Sequence, residues 1–363
     1  MTVAIAVPLD EVTFEPLRFE LRRKVANSKA SWTSREGTVV RVCAGGAVGY
    51  GEASPLPEFS AESLTDVSRD LDRARDVLRS TVLPLEGDAE KALEHVFAEL
   101  GPFVPSARFA VETAVLDLRA RLRGEPLWRQ LGGTAAVDPV SISALLIGDD
   151  PAEIATAVRD AIARGIHTGK LKVGRPGAMA AELDAAVAAR RAGGAAFRLR
   201  LDANGAWKTD EAQAALAAFA SVDPELVEEP VGGDDWLAMG RSPVPVALDE
   251  SGVGVEGARR FATLIQDRRC DALVIKLSIA GGFLAGAAMA RHAAKANVPL
   301  IVTHMFEGPI ATAAAAAFAL AYGSRTHAAG LDVRAYIDLP DDHPIGVARI
   351  DPFRGSGLGM RAR

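Results

Sequence analysis

The chain has 363 residues, 49% hydrophobic and 24% charged, with a formal net charge of −6. That is the composition of an ordinary soluble protein of about two domains, which excludes a disordered chain, a collagen-like fibre and a small disulfide scaffold. With no global basic field, nucleic acid is not an expected partner. Cys43 and Cys270 are too few for a disulfide framework or a cysteine-based zinc site, and they read as buried thiols of a reducing cytoplasm. The first seven residues are apolar but follow no basic region. No apolar run reaches the ~18 residues of a membrane helix. The expectation is a cytoplasmic enzyme or binding protein with no membrane partner.

Along the chain, residues 12–25 mix Thr, Phe and Val with charges, as an exposed strand does. Residues 38–43 and 47–52 are two strand-like runs joined by Gly45-Gly46, a hairpin signal. Residues 26–36 and 53–59 read as loops. Trp32 stands in the first loop with no helical or strand pattern; it either closes over a substrate or packs against its own domain. Helical spacing follows at 64–79, 89–99 and 106–123, and Gly124 stops the last of these. This part reads as α+β.

From residue 140 the rhythm changes. Apolar runs at 140–147, 169–173, 197–203, 226–229, 246–250, 272–277, 300–303 and 326–331 alternate with Ala-rich helical stretches. Strands buried on both faces of a parallel sheet read this way. Eight of them over about 190 residues point to a (β/α) barrel rather than an open sheet. No GxGxxG follows a strand, which speaks against a dinucleotide site. The expected layout is a cap over 1–135, a barrel over 136–332 and a tail over 333–363 that returns to the cap.

The strand ends carry the chemistry. Lys172, Asp202, Glu228, Asp249 and Lys276 close five successive runs, at steps of 30, 26, 21 and 27 residues. Each step is one βα unit, so the five charges meet at the C-terminal mouth, where barrel active sites are built. Singly, an Asp there is often a helix N-cap and a lysine a solvated strand end. Together, three converging carboxylates repel each other without a cation, and oxygen-only donors favour Mg²⁺, with Mn²⁺ as the second choice. A lysine acts as a base when its pKa is pulled down, and Lys170 beside a cation does that to Lys172. This combination suits removal of a proton α to a carboxylate, so the expected partner is a small carboxylate substrate.

Other residues keep two readings. Asn204 caps the next helix or orients the site, and His304 is a satisfied polar residue or a substrate contact. Gly281 and Gly282 form a plain turn or a loop near the ligand. Glu229 and Glu250 adjoin the carboxylates, point the other way along their strands, and read as supports behind the ligands or as ion-paired. Arg200 shares the face of Asp202 and lies deeper in the barrel.

The motif set Lys170-x-Lys172, Asp202-Ala203-Asn204, Glu228-Glu229-Pro230, Asp249-Glu250-Ser251 and Ile275-Lys276, with Gly281-Gly282 following, resembles the enolase superfamily in its muconate-lactonizing subgroup. Gly49-Tyr50-Gly51-Glu52-Ala53-Ser54-Pro55 and Leu131-Gly132-Gly133 match as well. The resemblance implies an α+β cap, completed by the C-terminal tail, over a (β/α)7β TIM-like barrel of the α/β class. It implies that Asp202, Glu228 and Asp249 bind Mg²⁺ and that Lys172 and Lys276 face opposite sides of the substrate.

Within the subgroup, residues 51–60, Arg200–Trp207 and His327-Ala328-Ala329-Gly330-Leu331-Asp332 are similar to o-succinylbenzoate synthases. Those enzymes catalyse a syn-dehydration through an enediolate, in menaquinone biosynthesis. Dipeptide epimerases of the subgroup carry Asp-x-Asp where this chain has Gly330-Leu331-Asp332. The loop 303–308, with His304 and Glu307, departs from the serines of many synthases and bears on the substrate side. The alternatives are N-succinylamino acid racemase, muconate cycloisomerase or dipeptide epimerase, and, from another class, a non-catalytic binding barrel. The Ala-rich barrel surface is compatible with a homo-oligomer.

Overall fold

The computed structural model describes residues 6–26, 31–133 and 137–361. In the cap, β1 (Ala6–Pro8) leads into an antiparallel meander of β2 (Glu11–Ala26), β3 (Ser31–Ala44) and β4 (Ala47–Ala53). Then come α1 (Leu64–Arg79), β5 (Val82–Pro84) paired with β1, α2 (Ala89–Phe97), α3 (Pro105–Arg123) and α4 (Leu127–Gln130). The β3–β4 turn holds Gly45 at φ 55 and Gly46 at φ 77, the pair of left-handed residues that a tight right-twisted hairpin requires.

The cap sheet and α3 touch backbone to backbone. A Cβ on Gly49 would meet Ala114 O at 2.1 Å and one on Gly51 would meet Ala110 O at 1.8 Å, so both glycines are needed to let the helix lie on β4. α3 is buried along nearly its whole length between sheet and barrel.

The barrel begins with β6 (Val140–Ser141) and β7 (Ala144–Leu146). It continues through α5 (Pro151–Ala163), β8 (Thr168–Lys172), α6 (Met179–Gly193), β9 (Arg198–Asp202), α7 (Thr209–Phe219), β10 (Leu226–Glu228), α8 (Asp235–Ala238) and β11 (Val246–Leu248). α9 (Gly254–Gln266), β12 (Ala272–Ile275), α10 (Leu277–Ala280), α11 (Phe283–Lys295), β13 (Leu300–Val302) and α12 (Pro309–Tyr322) complete it, and β14 (Arg349–Ile350) lies in the tail. β7 to β13 form one parallel sheet in sequence order. The expected run 326–331 is not a regular strand. Ala329 and Gly330 instead bridge to Ile142 and Thr303, which closes the circle with two residues. The fold class is thus the expected one, an α/β barrel with an N-terminal cap.

Some details differ from expectation. Residues 31–36 are not loop but the start of β3, so Trp32 sits on a strand, while 27–30 lie outside the described residues, as does the expected boundary at 135/136. Cys270 is buried, but Cys43 is only half-buried. No helix among the described residues is long and apolar enough to cross a membrane.

The tail runs back over both parts. β14 pairs with β6, Leu358 N donates to Asp117 Oδ1 at 2.8 Å, and Trp128 Nε1 donates to Phe353 O at 2.9 Å. His343, buried, clamps the tail to the start of α12. Its Nδ1 accepts from Ile345 N, so the proton is on Nε2, 3.0 Å from Pro309 O. Burial pushes the imidazole pKa down to about 4. The unfolded chain, with an ordinary histidine near 6.5, takes up a proton that the folded chain refuses, so this contribution falls as pH falls through that window. Between pH 7 and 4.5, His343→Gln should lose about 2 to 3 kcal/mol less stability than the wild type in urea unfolding; equal losses would show that His343 is not held neutral.

Candidate active site

Parallel register brings the expected charges level. Lys172 stands opposite Asp202, and Asp202 opposite Glu228. Lys170 and Lys172 are two apart on β8 and share a face. Asp249 and Lys276 are the first residues past β11 and β12. Asp202, Glu228 and Asp249 are each 2% exposed, so water does little to screen them.

The lysines divide this charge unequally. Lys170 Nζ lies 2.9 Å from Asp202 Oδ2 and 2.8 Å from Glu228 Oε2. Lys276 Nζ bonds Asp249 and lies 2.7 Å from Glu250 Oε1. Lys172 Nζ donates to the neutral Asn204 Oδ1 at 2.7 Å and is 3.9 Å from Asp202. Burial pulls all three ammoniums down, but the carboxylates overcome it at Lys170 and Lys276 and hold both above the ordinary lysine range. At Lys172 burial wins, helped by repulsion from Lys170 and Lys276, and its pKa falls. Burial works against ionisation at Asp202, yet Lys170 and Lys172 keep that carboxyl low. At Asp249 burial and the neighbouring Glu250 raise it. No group of three or more His, Cys, Asp or Glu side chains among the described residues stands ready as a metal cage, since lysines hold these carboxylates.

A cavity opens above this cluster, lined by Lys170, Lys172, Asp202, Asn204, Glu250 and Lys276 below and by cap and tail residues above. Of the residues expected nearby, Asn204, Glu250, His304 and Trp32 line it, and Arg200, Glu229, Gly281, Gly282 and Glu307 do not. Glu250 is ion-paired, as expected, but not in the expected direction: the chain leaves the strand at Leu248 and turns at Glu250–Gly252, so strand alternation no longer applies and the side chain faces inward to Lys276. Glu229 accepts from Asp249 N and Ser251 N, bracing β10 to the end of β11. Arg200 bonds Glu225 at 2.5 Å and Ala328 O at 2.8 Å, tying β9 to the closing segment. Gly281 and Gly282, at φ 88 and 104, make a turn against the cap helix. Glu307 joins two loops by accepting from Ser278 Oγ at 2.6 Å and from Met305 N at 2.5 Å.

His304 is a fixed donor. Its Nδ1 accepts from Phe306 N at 2.9 Å, so its proton is on Nε2, and burial followed by repulsion from Lys170 and Lys276 takes its pKa down to about 3. Sequence reasoning missed Val25, Leu56, Phe59, Ser143 and Tyr336, which also line the cavity. Tyr336 Oη is buried with no hydrogen-bond partner among the described residues. Asp332 is held by Arg164 through two bonds of 2.8 and 2.7 Å.

Residues 153–363 match the family model described as "Enolase C-terminal domain-like", and residues 18–117 match "MenC, N-terminal domain". The chain is 30% identical over 325 residues to L-Ala-D/L-Glu epimerase of Bacillus subtilis, covering 88% of this chain and 83% of that one. It is 30% identical to muconate cycloisomerase 1-2 of Acinetobacter lwoffii, covering 82% and 77%. The dipeptide epimerase of Enterococcus faecalis V583, solved with Mg and the dipeptide L-Leu-L-Tyr, superposes with a TM-score of 0.84 at 24% identity, covering 97% and 99%. These relatives are isomerases by name.

Removing Lys170 leaves Asp202 and Glu228 without their shared cation. In chelator, Lys170→Met should lose about 3 to 5 kcal/mol in denaturant unfolding, as when one partner of a buried ion pair is removed. Unchanged stability would mean that Lys170 does not carry the charge balance.

Proposed function

The chain belongs to the enolase superfamily, and from that premise we propose that it removes the proton α to a carboxylate bound at the barrel mouth, with Lys172 as the base on one face and Lys276, protonated, on the other. The observation that carries this reading is the split among the lysines. Lys170 and Lys276 are clamped by carboxylates, while Lys172 rests on an amide and burial lowers its pKa, the direction that favours a base.

Asp202, Glu228 and Asp249 are an all-oxygen set on three neighbouring strands, and their chemistry fits Mg²⁺, the ion named in the Enterococcus structure. When bound there, the ion supplies positive charge for the substrate carboxylate as electron density moves onto it. Lys172 takes the α-proton and Lys276 faces the developing anion with its ammonium.

Our reading of the substrate is the hydroxycyclohexadiene carboxylate that loses water to form o-succinylbenzoate. Lys172 then returns its proton to the leaving hydroxyl on the same face. The match of 18–117 to the MenC N-terminal domain supports this, because the cap contributes Trp32, Leu56 and Phe59 to the cavity. Asp332, engaged by Arg164, is not free to grip an ammonium. A side chain at Gly330 would collide with Thr303 Oγ1, 2.6 Å from the position of a Cβ. The second reading is epimerisation, favoured by the names of the relatives. There Lys276 delivers a proton to the opposite face.

Purified protein with Mg²⁺ is offered the cyclohexadiene acid, N-succinyl amino acids and L-Ala-L-Glu in D₂O. Loss of diene absorbance without α-deuteration of the others is expected; exchange of the dipeptide without dehydration would replace the lyase reading by the isomerase one. Lys172→Ala should lower turnover by roughly 10²–10⁴-fold while circular dichroism and Mg²⁺ binding by calorimetry stay as in the wild type. Full activity in that variant would remove Lys172 from its role.

A further inference from the structure

Two barrel helices start without a cap of their own. α11 begins after Gly282 and α12 after Gly308, and neither residue offers a side chain to the first-turn N–H groups. The acceptors come from the other domain. Glu52, next to last in β4, accepts from Gly308 N at 2.5 Å and Ala311 N at 3.2 Å. Glu112, in the middle of α3, accepts from Leu284 N at 3.0 Å.

The two arrangements share one construction. Both carboxylates are fully buried. Both approach over the glycine, where a Cβ would lie 2.8 Å from Glu52 Oε2 at Gly308 and 2.4 Å from Glu112 Oε2 at Gly282. Each is steadied within the cap, Glu52 by Ser54 Oγ at 2.7 Å and Glu112 by Arg108 Nε at 2.8 Å. Burial raises both carboxyl pKa values, and these donors act against it: every partner donates, the set that an ionised carboxylate takes. A negative group at a helix N-terminus is favoured by the helix dipole, and more so in a dry interface.

The helices so capped follow the loops of the site. α10 directly follows Lys276 and lies against α3, and Gly281-Gly282 then leads into α11. The loop before α12 carries His304, and its Phe306 O accepts from buried Arg35 of β3 at 3.1 Å.

We infer that Glu52 and Glu112 are positioning residues: by closing the N-termini of α12 and α11 from the cap, they fix the His304 loop and the Lys276 loop, respectively, against the substrate. The inference rests on the proposed roles of those two loops. It makes the cap part of the catalytic geometry and not only a cover, since the barrel cannot cap these helices itself.

The test uses Glu52→Gln and Glu112→Gln in the full chain, because Gln turns one accepting oxygen into a donor with little change of shape. On whichever substrate the wild type turns over, Glu112→Gln should lower kcat by roughly ten- to a hundredfold with KM nearly unchanged, the cost of a small misplacement near the chemistry. Glu52→Gln should instead raise KM, by about tenfold, with the smaller effect on kcat. Backbone hydrogen exchange without substrate should quicken mainly over 303–312 in Glu52→Gln and mainly over 276–286 in Glu112→Gln.

Uniformly faster exchange, or none, with apparent kcat tracking only the folded fraction and KM unmoved, would reduce both residues to general stabilisers and overturn the inference. If the wild type acts on none of the offered substrates, the functional reading fails, and the exchange pattern still decides this inference by itself.

Discussion

Charge balance in a nearly dry barrel mouth is the constraint on which the rest depends. An isolated ion buried there costs several kcal/mol, so each carboxylate must be met by a cation or by hydrogen-bond donors. The strand order supplies this: lysines on β8 and after β12 flank acids on β9, on β10 and after β11. Three ammoniums, Lys170, Lys172 and Lys276, face four carboxylates, Asp202, Glu228, Asp249 and Glu250, which leaves one negative charge in excess. With a divalent cation bound, the balance becomes one positive charge, which a single substrate carboxylate cancels. The same cluster therefore favours a cation first and an anionic substrate second, and at the one lysine that lacks a close carboxylate partner burial, helped by Lys170 and Lys276, lowers the pKa.

Holding those side chains to a fraction of an ångström requires that the strand ends be rigid, and α3 supplies much of that rigidity. It is buried on nearly every side and uses its polar residues to address distant segments. Asp117 accepts from Tyr50 N of the cap sheet and Leu358 N of the tail, and Arg119 donates to Pro84 O, Leu85 O and Gly87 O. Glu112 reaches the barrel. A helix with charges buried on several faces is stable only where every charge has its partner, so cap, tail and barrel need one another.

Much of this was legible in the sequence because a charge at the end of an apolar run is a strong local signal. Lys172, Asp202, Glu228, Asp249 and Lys276 stand where their spacing puts them, and the Gly45-Gly46 hairpin forms as its dipeptide requires. What could not be read depends on contacts between remote segments. Residues 31–36 look like loop because polar residues stand on both faces of the strand, with charged Arg35 on the buried one, so polarity does not follow the alternation of burial. The closing segment at 326–331 shows an apolar run but bridges at only two residues, so the run overstates the strand. Glu250 turns inward because the chain bends at Asp249, and alternation predicts nothing beyond a bend. Tyr336 has no motif; it reaches the cavity because Arg22 N of β2 donates to its carbonyl and Arg23 covers its ring.

The lysines alone do not separate dehydration from epimerisation, since both begin with the same proton. Our proposed choice between them rests on the walls of the cavity. An ammonium-bearing substrate needs a carboxylate with free oxygens, and Asp332 already gives both of its oxygens to Arg164. Seating an ammonium there exchanges one cation for another and breaks a bidentate pair, the stronger of the two geometries. Thr303 leaves no room for a second acid at Gly330. The His304 Nε2 proton is a neutral donor, and the Tyr336 hydroxyl, without a partner among the described residues, can donate or accept. As donors the two suit a carbonyl or carboxylate. On the proposed lyase reading these groups meet the succinyl end of the ring, whereas the relatives' names favour the isomerase reading.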